Sequence, residues 1–166
     1  MTPDEFWSLI DSTRGDVDDP WGHAEAVESE LEQKSPEDIM DFERHLSALM
    51  EKSYNWDLWG AAYLINGGCS DDGFDYFRGW LVLQGKKVFE QALKDPDSLA
   101  DYSGTEMEVE CEEILSAAFN AYQTSAGKDF PGVPINCPDL GEDWDFDDDD
   151  EMSSRYPKLF ARFCEE

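Results

Sequence analysis

The sequence predicts an all-α, or nearly all-α, fold: a compact single-domain bundle of about seven helices. An acidic irregular segment is predicted to precede a short C-terminal helix. Three observations support this fold class. Successive segments begin with a capping residue followed by proline. Apolar residues then recur at intervals of three and four. No segment shows the apolar–polar alternation of a strand.

The first three helices each begin at a polar cap followed by proline. Thr2-Pro3-Asp4-Glu5 is a capping box, and Asp19-Pro20 and Ser35-Pro36 repeat the start signal. The first helix is expected to end at a turn over residues 15–18. Core residues are predicted at helical spacing: Phe6, Trp7, Ile10, Trp21, Ala24, Val27, Leu31, Ile39, Phe42, Leu46, Leu49 and Met50.

The fourth helix is predicted to extend from Asn55 or Trp56 to Ile65. It is apolar on nearly every side, which is typical of a helix at the centre of a fold rather than on its surface. The glycines of Asn66-Gly67-Gly68 are expected to end it, because glycine readily adopts the left-handed conformation that closes a helix.

Three further helices are predicted before the pattern changes. Ser70 caps the fifth, which extends through Gln84, and the sixth spans residues 86–94 until Asp95-Pro96 ends it. A capping box, Thr105-x-x-Glu108, is predicted to start the seventh. Its apolar residues are Val109, Ile114, Leu115, Ala118, Phe119 and Tyr122.

The chain is predicted to divide into three parts. Residues 1–126 form the helical domain, and residues 127–151 form an acidic loop with three prolines and three glycines. Residues 152–166 form a C-terminal helix that docks on the same domain. The docking residues of this helix, which is expected from Met152 to Phe163, are Tyr156, Leu159, Phe160 and Phe163.

The composition indicates a folded protein with an acidic surface. Six Trp, six Tyr and ten Phe argue for a packed core, since disordered acidic chains lack such residues. Forty acids and twelve bases give a net charge of −28. Residues 139–151 hold nine acids and no base, so the rest of the chain still carries −19. This charge argues against binding to nucleic acid or anionic membranes and favours a basic partner, cations or solubility alone.

The compartment is predicted to be the cytoplasm. The first residues, Thr2-Pro3-Asp4-Glu5, supply neither a basic leader nor an apolar run. The longest uncharged segment, residues 58–70, has thirteen residues, and about twenty are needed to span a bilayer. The four cysteines contain no CxxC pair and are expected to be reduced thiols: Cys69, Cys111, Cys137 and Cys164.

The stretch NGGCSDDGFDYFRGWL, residues 66–81, is the candidate site. On a helix, Asp71, Asp75 and Arg78 share one side. We predict a pocket for a cationic or polar ligand, lined by Cys69, Asp71, Asp72, Asp75, Tyr76 and Arg78. A structural interpretation stays open, in which the acids complement the helix dipole and Asp75 pairs with Arg78. Gly73 and Gly79 suggest close approach by a neighbouring helix or a ligand.

No catalytic residue, metal ligand or cofactor is assigned. Cys69 at a helix N-terminus could be a nucleophile, but nearby carboxylates raise a thiol pKa, and His23 and His45 are distant in sequence. An EF-hand match in the acidic loop fails, because Asp148 replaces the required glycine and Ser154 the bidentate glutamate. We therefore lean towards a protein that is not an enzyme.

One long segment resembles a known family. Residues 54–93, YNWDLWGAAYLINGGCSDDGFDYFRGWLVLQGKKVFEQAL, resemble the bacterial domain of unknown function 4240 family. PDEFWSLIDSTR, SPEDIMDFERHLSALMEKSYNWDLW and RYPKLFARF are similar to it too. The resemblance implies a small, soluble, largely helical bacterial protein. It implies no activity and assigns no role to any residue.

Three functions are compatible with these patterns. The favoured one is a non-catalytic binding or regulatory module that engages a basic protein, as an immunity protein or a DNA mimic does. The alternative is a small-ligand-binding protein or enzyme with its pocket around Cys69–Arg78. In the third, acidity serves solubility alone, and added salt should then increase stability. The sequence predicts no oligomeric state.

Overall fold

The helices begin where the sequence places most of its start signals. The computed structural model describes residues 1–15, 19–106 and 109–165, and in these ranges the chain is helical and has no strand. The all-α class is therefore confirmed. The α-helices are α1 (Pro3–Arg14), α2 (Pro20–Leu31), α3 (Pro36–Lys52), α4 (Trp56–Asn66), α5 (Asp71–Leu83), α6 (Lys86–Lys94), α7 (Ile114–Ala126), α8 (Asp149–Arg155) and α9 (Pro157–Phe163). Two 3-10 helices span Pro96–Asp101 and Ser103–Glu106.

The predicted capping residues form the expected hydrogen bonds. The Thr2 backbone N–H donates to Glu5 Oε2 at 2.6 Å, and Glu5 N–H donates to Thr2 Oγ1 at 3.2 Å. Side chains at the starts of α2, α3, α4 and α5 accept backbone N–H groups in the same way: Asp19, Ser35, Asn55 and Ser70. Local caps thus fix these starts. Gly15 ends α1, whereas residues 16–18 of the predicted turn lie outside the described residues.

The prediction that a capping box at Thr105 starts the seventh helix is wrong. Thr105 lies in the 3-10 helix Ser103–Glu106, and its hydroxyl donates backwards to the Tyr102 carbonyl at 2.7 Å. Glu108, the other half of the box, lies outside the described residues. The chain instead crosses α5, where Cys111 N–H donates to the Tyr76 carbonyl at 2.9 Å. Helix α7 begins only after this contact, at Ile114.

The C-terminal part contains two helices rather than one. Pro157 disfavours a helical conformation at the residue before it, and Tyr156 accordingly has φ −130° and ψ 63°. Helix α8 also begins before Met152, because Asp148 caps it by accepting Glu151 N–H at 3.0 Å. Residues 149–151, which were predicted to be loop, are therefore its first turn. Carboxylates there complement the helix dipole.

Helix α5 occupies the centre of the core. Phe74, Phe77 and Leu81 are fully buried, as predicted, and α5 contacts α1, α2, α3, α4, α6 and α7. Helix α4, which was expected to be central, is partly covered by the irregular segment instead. Trp56 Nε1 donates to the Gly141 carbonyl at 3.2 Å, and the Phe146 ring packs against Trp56.

A buried carboxylate holds the C-terminal helices against the rest of the fold. Asp97, in the 3-10 helix Pro96–Asp101, accepts the N–H of Leu159 at 2.9 Å and that of Lys158 at 3.2 Å. Tyr156 donates from its hydroxyl to the Asp57 carbonyl at 2.6 Å. Tyr156 and Leu159, both predicted docking residues, are buried. Asp97 thus serves as the N-cap that α9 lacks locally.

Candidate functional site

A cavity of about 370 Å³ lies where α3, α5 and α7 meet residues 135–137. Four of the six predicted site residues line it, whereas Cys69 and Tyr76 do not. The lining residues are Glu43, Leu46, Ser47, Met50, Glu51, Tyr54, Asp71, Asp72, Asp75, Arg78, Leu115, Phe119, Ile135, Asn136 and Cys137. Its volume lies in the range of small-ligand pockets.

Arg78 is buried, and its guanidinium is used inside the protein. Nε donates to the Phe74 carbonyl at 3.3 Å, and Nη1 donates to the Met50 carbonyl near the end of α3. Nη2 donates to Asp75, so the predicted Asp75–Arg78 ion pair is present. The guanidinium carbon lies 4.8 Å from the Tyr54 ring centre. Arg78 therefore ties α5 to α3, and its charge is already paired with Asp75.

Cys69 and Tyr76 lie outside the cavity lining. Burial raises the pKa of the Cys69 thiol to about 11, which is opposite to what an activated nucleophile requires. The charge of Glu112 raises the pKa of Tyr76, and the Tyr76 carbonyl accepts Cys111 N–H. Tyr76 thus belongs to the contact between α5 and the segment leading to α7.

The remaining predicted carboxylates form an acidic rim. Asp71 and Asp72 are exposed in the first turn of α5, and the Tyr54 hydroxyl donates to Asp71 Oδ1 at 3.4 Å. Asp75 is half-buried, and this burial raises its pKa although the Arg78 guanidinium acts in the opposite direction. With Glu51 on α3, these acids line the cavity together with one buried guanidinium, so acidic groups outnumber basic ones there.

Glu43 is the functional candidate that sequence reasoning missed. Its side chain lies on α3, the residue is only 8% exposed, and it lines the cavity. Ser47 Oγ donates to Oε1 at 3.2 Å, whereas the buried Oε2 has no hydrogen-bond partner among the described residues. Burial raises the pKa of Glu43 to about 7. An unsatisfied buried carboxylate is costly, so its presence calls for an explanation.

The sequence contained a signal for Glu43. Ile39, Phe42 and Leu46 form the buried stripe of α3. Glu43 lies four residues after Ile39 and three before Leu46, which places it on the same face. The sequence pattern thus shows a charged residue at a core position. It does not show that one oxygen of this residue lacks a hydrogen-bond partner.

One wall of the cavity is apolar and open to solvent. Leu115 and Phe119 on α7 and Ile135 in the irregular segment belong to this wall. Phe119 is 44% exposed and Ile135 is 77% exposed. Trp21 is the other large hydrophobic residue exposed in the described part of the chain. Two of these three exposed side chains therefore lie at one acidic cavity, which makes them a feature of the site.

Close packing explains one of the two glycines of α5. A Cβ added at Gly79 would lie 2.6 Å from the Cys111 carbonyl oxygen and 2.8 Å from Ile114 Cγ2. The group that approaches Gly79 is thus the neighbouring segment and not a ligand. Among the described residues, a Cβ at Gly73 would meet only the start of its own helix, 3.2 Å from Ser70 Oγ. Gly73 therefore marks no contact with another helix.

The described ranges give little support for a histidine-based site, a metal site or a membrane span. The ring of His23 is buried, and its Nε2 lies 2.8 Å from the Ile10 carbonyl oxygen, while His45 Nε2 lies 2.9 Å from the Met1 carbonyl oxygen. Burial lowers the pKa of His23. Among residues 1–15, 19–106 and 109–165, no group of three or more potential ligands is arranged to hold a metal ion. No helix there is long and apolar enough to cross a bilayer.

Comparison with known proteins identifies a family and no function. The family model described as "Protein of unknown function (DUF4240)" matches residues 1–124. No curated protein and no solved structure matches the chain. The matched region contains every cavity residue except those at 135–137. It covers more than half of the chain and agrees with the resemblance in the central block. The chain therefore belongs to the DUF4240 family, the domain of unknown function 4240.

Proposed function

We propose that this protein is a non-catalytic binding module that engages a basic protein partner, as an immunity protein or a DNA mimic does. The proposal is supported by the position of the negative charge in the structure. Among the described carboxylates, only those of Glu43 and Asp97 are buried. Even if each of the twelve bases neutralised one acid, a net charge of −28 would remain. All other described carboxylates are therefore at least partly exposed to solvent.

Internal ion pairs do not neutralise this surface. The pairs in the described part of the chain involve eight carboxylates: Asp11, Glu30, Asp38, Asp41, Asp75, Asp101, Glu106 and Glu151. Most are exposed pairs, which leave the local field largely available to a partner. Such a field accelerates the association of basic proteins and repels nucleic acid and anionic lipid.

The test compares two basic proteins of similar size and charge. One is a histone-like DNA-binding protein, and the other is lysozyme, which has no DNA-binding site. The proposal expects selective binding of the histone-like protein at 0.15 M salt, weakening with added salt, and displacement by double-stranded DNA. Equal binding of both proteins, or no binding at low salt, would contradict it.

Two charge-matched triple variants locate the interface. One carries Asp143→Asn, Asp149→Asn and Asp150→Asn in the acidic segment. The other carries Glu25→Gln, Glu37→Gln and Glu90→Gln on exposed positions of three helices. A specific interface requires that one triple weakens binding much more than the other. Equal weakening would indicate attraction by net charge alone and would contradict a specific partner.

A second candidate function is the binding of a small ligand in the cavity. The favouring observation is that Asp71, Asp72, Asp75 and Arg78 line one cavity together with the buried Glu43. Asp72→Ala tests this candidate best, because Asp72 is exposed, whereas Arg78 holds α5 to α3 through the Met50 carbonyl. Ligand binding should fall in Asp72→Ala while the melting temperature stays unchanged.

A further inference from the structure

The cavity on α3, α5 and α7 combines three chemical features. Its rim carries the carboxylates of Asp71, Asp72 and Glu51. Its wall includes the exposed side chains of Phe119 and Ile135. Inside, Glu43 is only 8% exposed, and its enclosed Oε2 has no hydrogen-bond partner among the described residues. The third feature is independent of the acidic rim and itself indicates a missing donor.

The neighbouring cation does not supply this donor. Arg78 lines the same cavity, but its Nε, Nη1 and Nη2 donate to Phe74, Met50 and Asp75. The only described hydrogen bond to the Glu43 carboxylate comes from Ser47, at Oε1. A hydrogen-bond donor with positive charge in the cavity would offset the excess of carboxylates, and it would satisfy the enclosed Oε2 once the Glu43 carboxylate turned towards it.

We propose that this cavity binds a small organic cation, an ammonium or guanidinium group on an apolar stem. The cation lies at Glu43, and the stem lies against Leu115 and Phe119. The cavity volume of about 370 Å³ lies in the range of pockets that bind free small molecules, which favours such a ligand over a protein surface. This inference rests on the second candidate function and is independent of the basic-partner proposal.

Proton linkage gives the proposal a distinctive signature. Burial raises the pKa of Glu43 to about 7, and a cation binds the ionised carboxylate. Affinity should therefore fall about tenfold from pH 8 to pH 6. Other charged or titratable groups also face the cavity: Glu51 from α3, Asp71, Asp72, Asp75 and Arg78 from α5, Tyr54 between α3 and α4, and Cys137 from residues 135–137. The α7 residues of the lining are apolar.

The test uses n-hexylammonium as the probe, with binding followed by calorimetry and by chemical shifts of cavity residues. We expect saturable one-to-one binding. Neutral 1-hexanol and short-stemmed ethylammonium should each bind at least about tenfold more weakly, because each lacks one of the two recognised parts. Equal binding of 1-hexanol and n-hexylammonium would overturn the proposal, as would an absence of n-hexylammonium binding.

Variants assign the binding to the named residues. Glu43→Gln keeps the shape of the side chain and should weaken n-hexylammonium binding about tenfold and remove its pH dependence. Glu37→Gln, an exposed position on the same helix, removes the same charge and should have little effect. Phe119→Ala, at a half-exposed position, keeps the inference testable if Glu43→Gln does not fold, and should weaken binding about threefold.

Three outcomes separate this inference from the basic-partner proposal. Unchanged n-hexylammonium binding in Glu43→Gln or in Phe119→Ala would overturn the cavity inference alone. Binding of an N-acetyl-lysine amide without binding of n-hexylammonium would assign the cavity to a protein side chain and would also overturn it. Normal n-hexylammonium binding without selectivity for the histone-like protein would overturn the partner proposal and support the cavity inference.

Discussion

Asp97 and Glu43 are the two buried carboxylates of the described chain, and their surroundings differ. Asp97 is 9% exposed and accepts two backbone N–H groups at the start of α9. Glu43 is 8% exposed, and only one of its oxygens accepts a hydrogen bond, from Ser47. The two residues are thus almost equally buried, but both oxygens of Asp97 accept hydrogen bonds and only one oxygen of Glu43 does.

The difference separates a structural carboxylate from a functional candidate. Asp97 stabilises the fold because its charge compensates N–H groups at a helix N-terminus. Glu43 lies at a cavity, and its ionised form is disfavoured by burial and only weakly compensated. The proposed cation would complete the hydrogen bonds of this carboxylate. The two regions differ in whether the carboxylate oxygens accept hydrogen bonds, and not in how deeply the residues are buried.

The largest expected effect comes from Asp97→Ala. This change leaves the N–H groups of Lys158 and Leu159 without their acceptor, so the free energy of unfolding should fall by about 3 kcal/mol. Asp101→Ala removes the exposed pair with Lys158 nearby and should have only a small effect. Urea denaturation of both variants measures the difference. Similar losses would show that Asp97 acts only through its charge.

A smaller effect is expected from Glu43→Gln, and it depends on pH. The pKa of Glu43 in the folded state, about 7, exceeds the ordinary value of 4.5. Between these values the folded state holds a proton that the unfolded state has released. The stability from this group is therefore present at low pH and is lost as pH rises through about 7.

Glutamine at position 43 does not titrate, so it should not show this loss. Between pH 5 and pH 8, the wild type should therefore lose about 2 kcal/mol more of its free energy of unfolding than Glu43→Gln loses. Urea denaturation at the two pH values measures the shift, with Glu37→Gln as the control for removal of one charge. If wild type and Glu43→Gln differ in free energy of unfolding by the same amount at both pH values, burial does not raise the pKa of Glu43.

The smallest expected effect comes from Ser47→Ala. The Ser47 hydroxyl donates to Glu43 Oε1 and lowers the pKa that burial raises. Without it, the pKa of Glu43 should rise above about 7, and the free energy of unfolding at pH 8 should fall by about 1 kcal/mol. Carboxyl-carbon NMR titration follows the pKa directly. An unchanged pKa would show that Ser47 does not support the carboxylate.

Much of the fold could be predicted because helix starts are local. Thr2, Asp19, Ser35, Asn55 and Ser70 each bond to a backbone N–H within three residues, and the sequence displays both partners. The prediction failed at Thr105, where the seventh helix does not begin. There the Cys111 N–H bonds to the Tyr76 carbonyl of α5, a contact that no local pattern encodes.

The candidate site was predicted in part for the same reason. The rim residues of α5 were recognised because they cluster in one short stretch. Glu43 and Phe119 come from other helices, and Ile135 comes from a segment without periodicity. Their meeting depends on how α3, α5 and α7 pack. Cys69 and Tyr76 were included because they are neighbours in sequence, yet they do not line the cavity.

The sequence by itself determined the all-α class, the starts of the first six helices, the net charge of −28 and the family. These follow from composition and from interactions within a few residues, which need no knowledge of the partner helix. The tertiary structure alone decided that Asp97 caps α9 and that Glu43 keeps a free oxygen beside a cavity. Those outcomes depend on which donors come within about 3 Å of each oxygen, and packing of distant segments sets that distance.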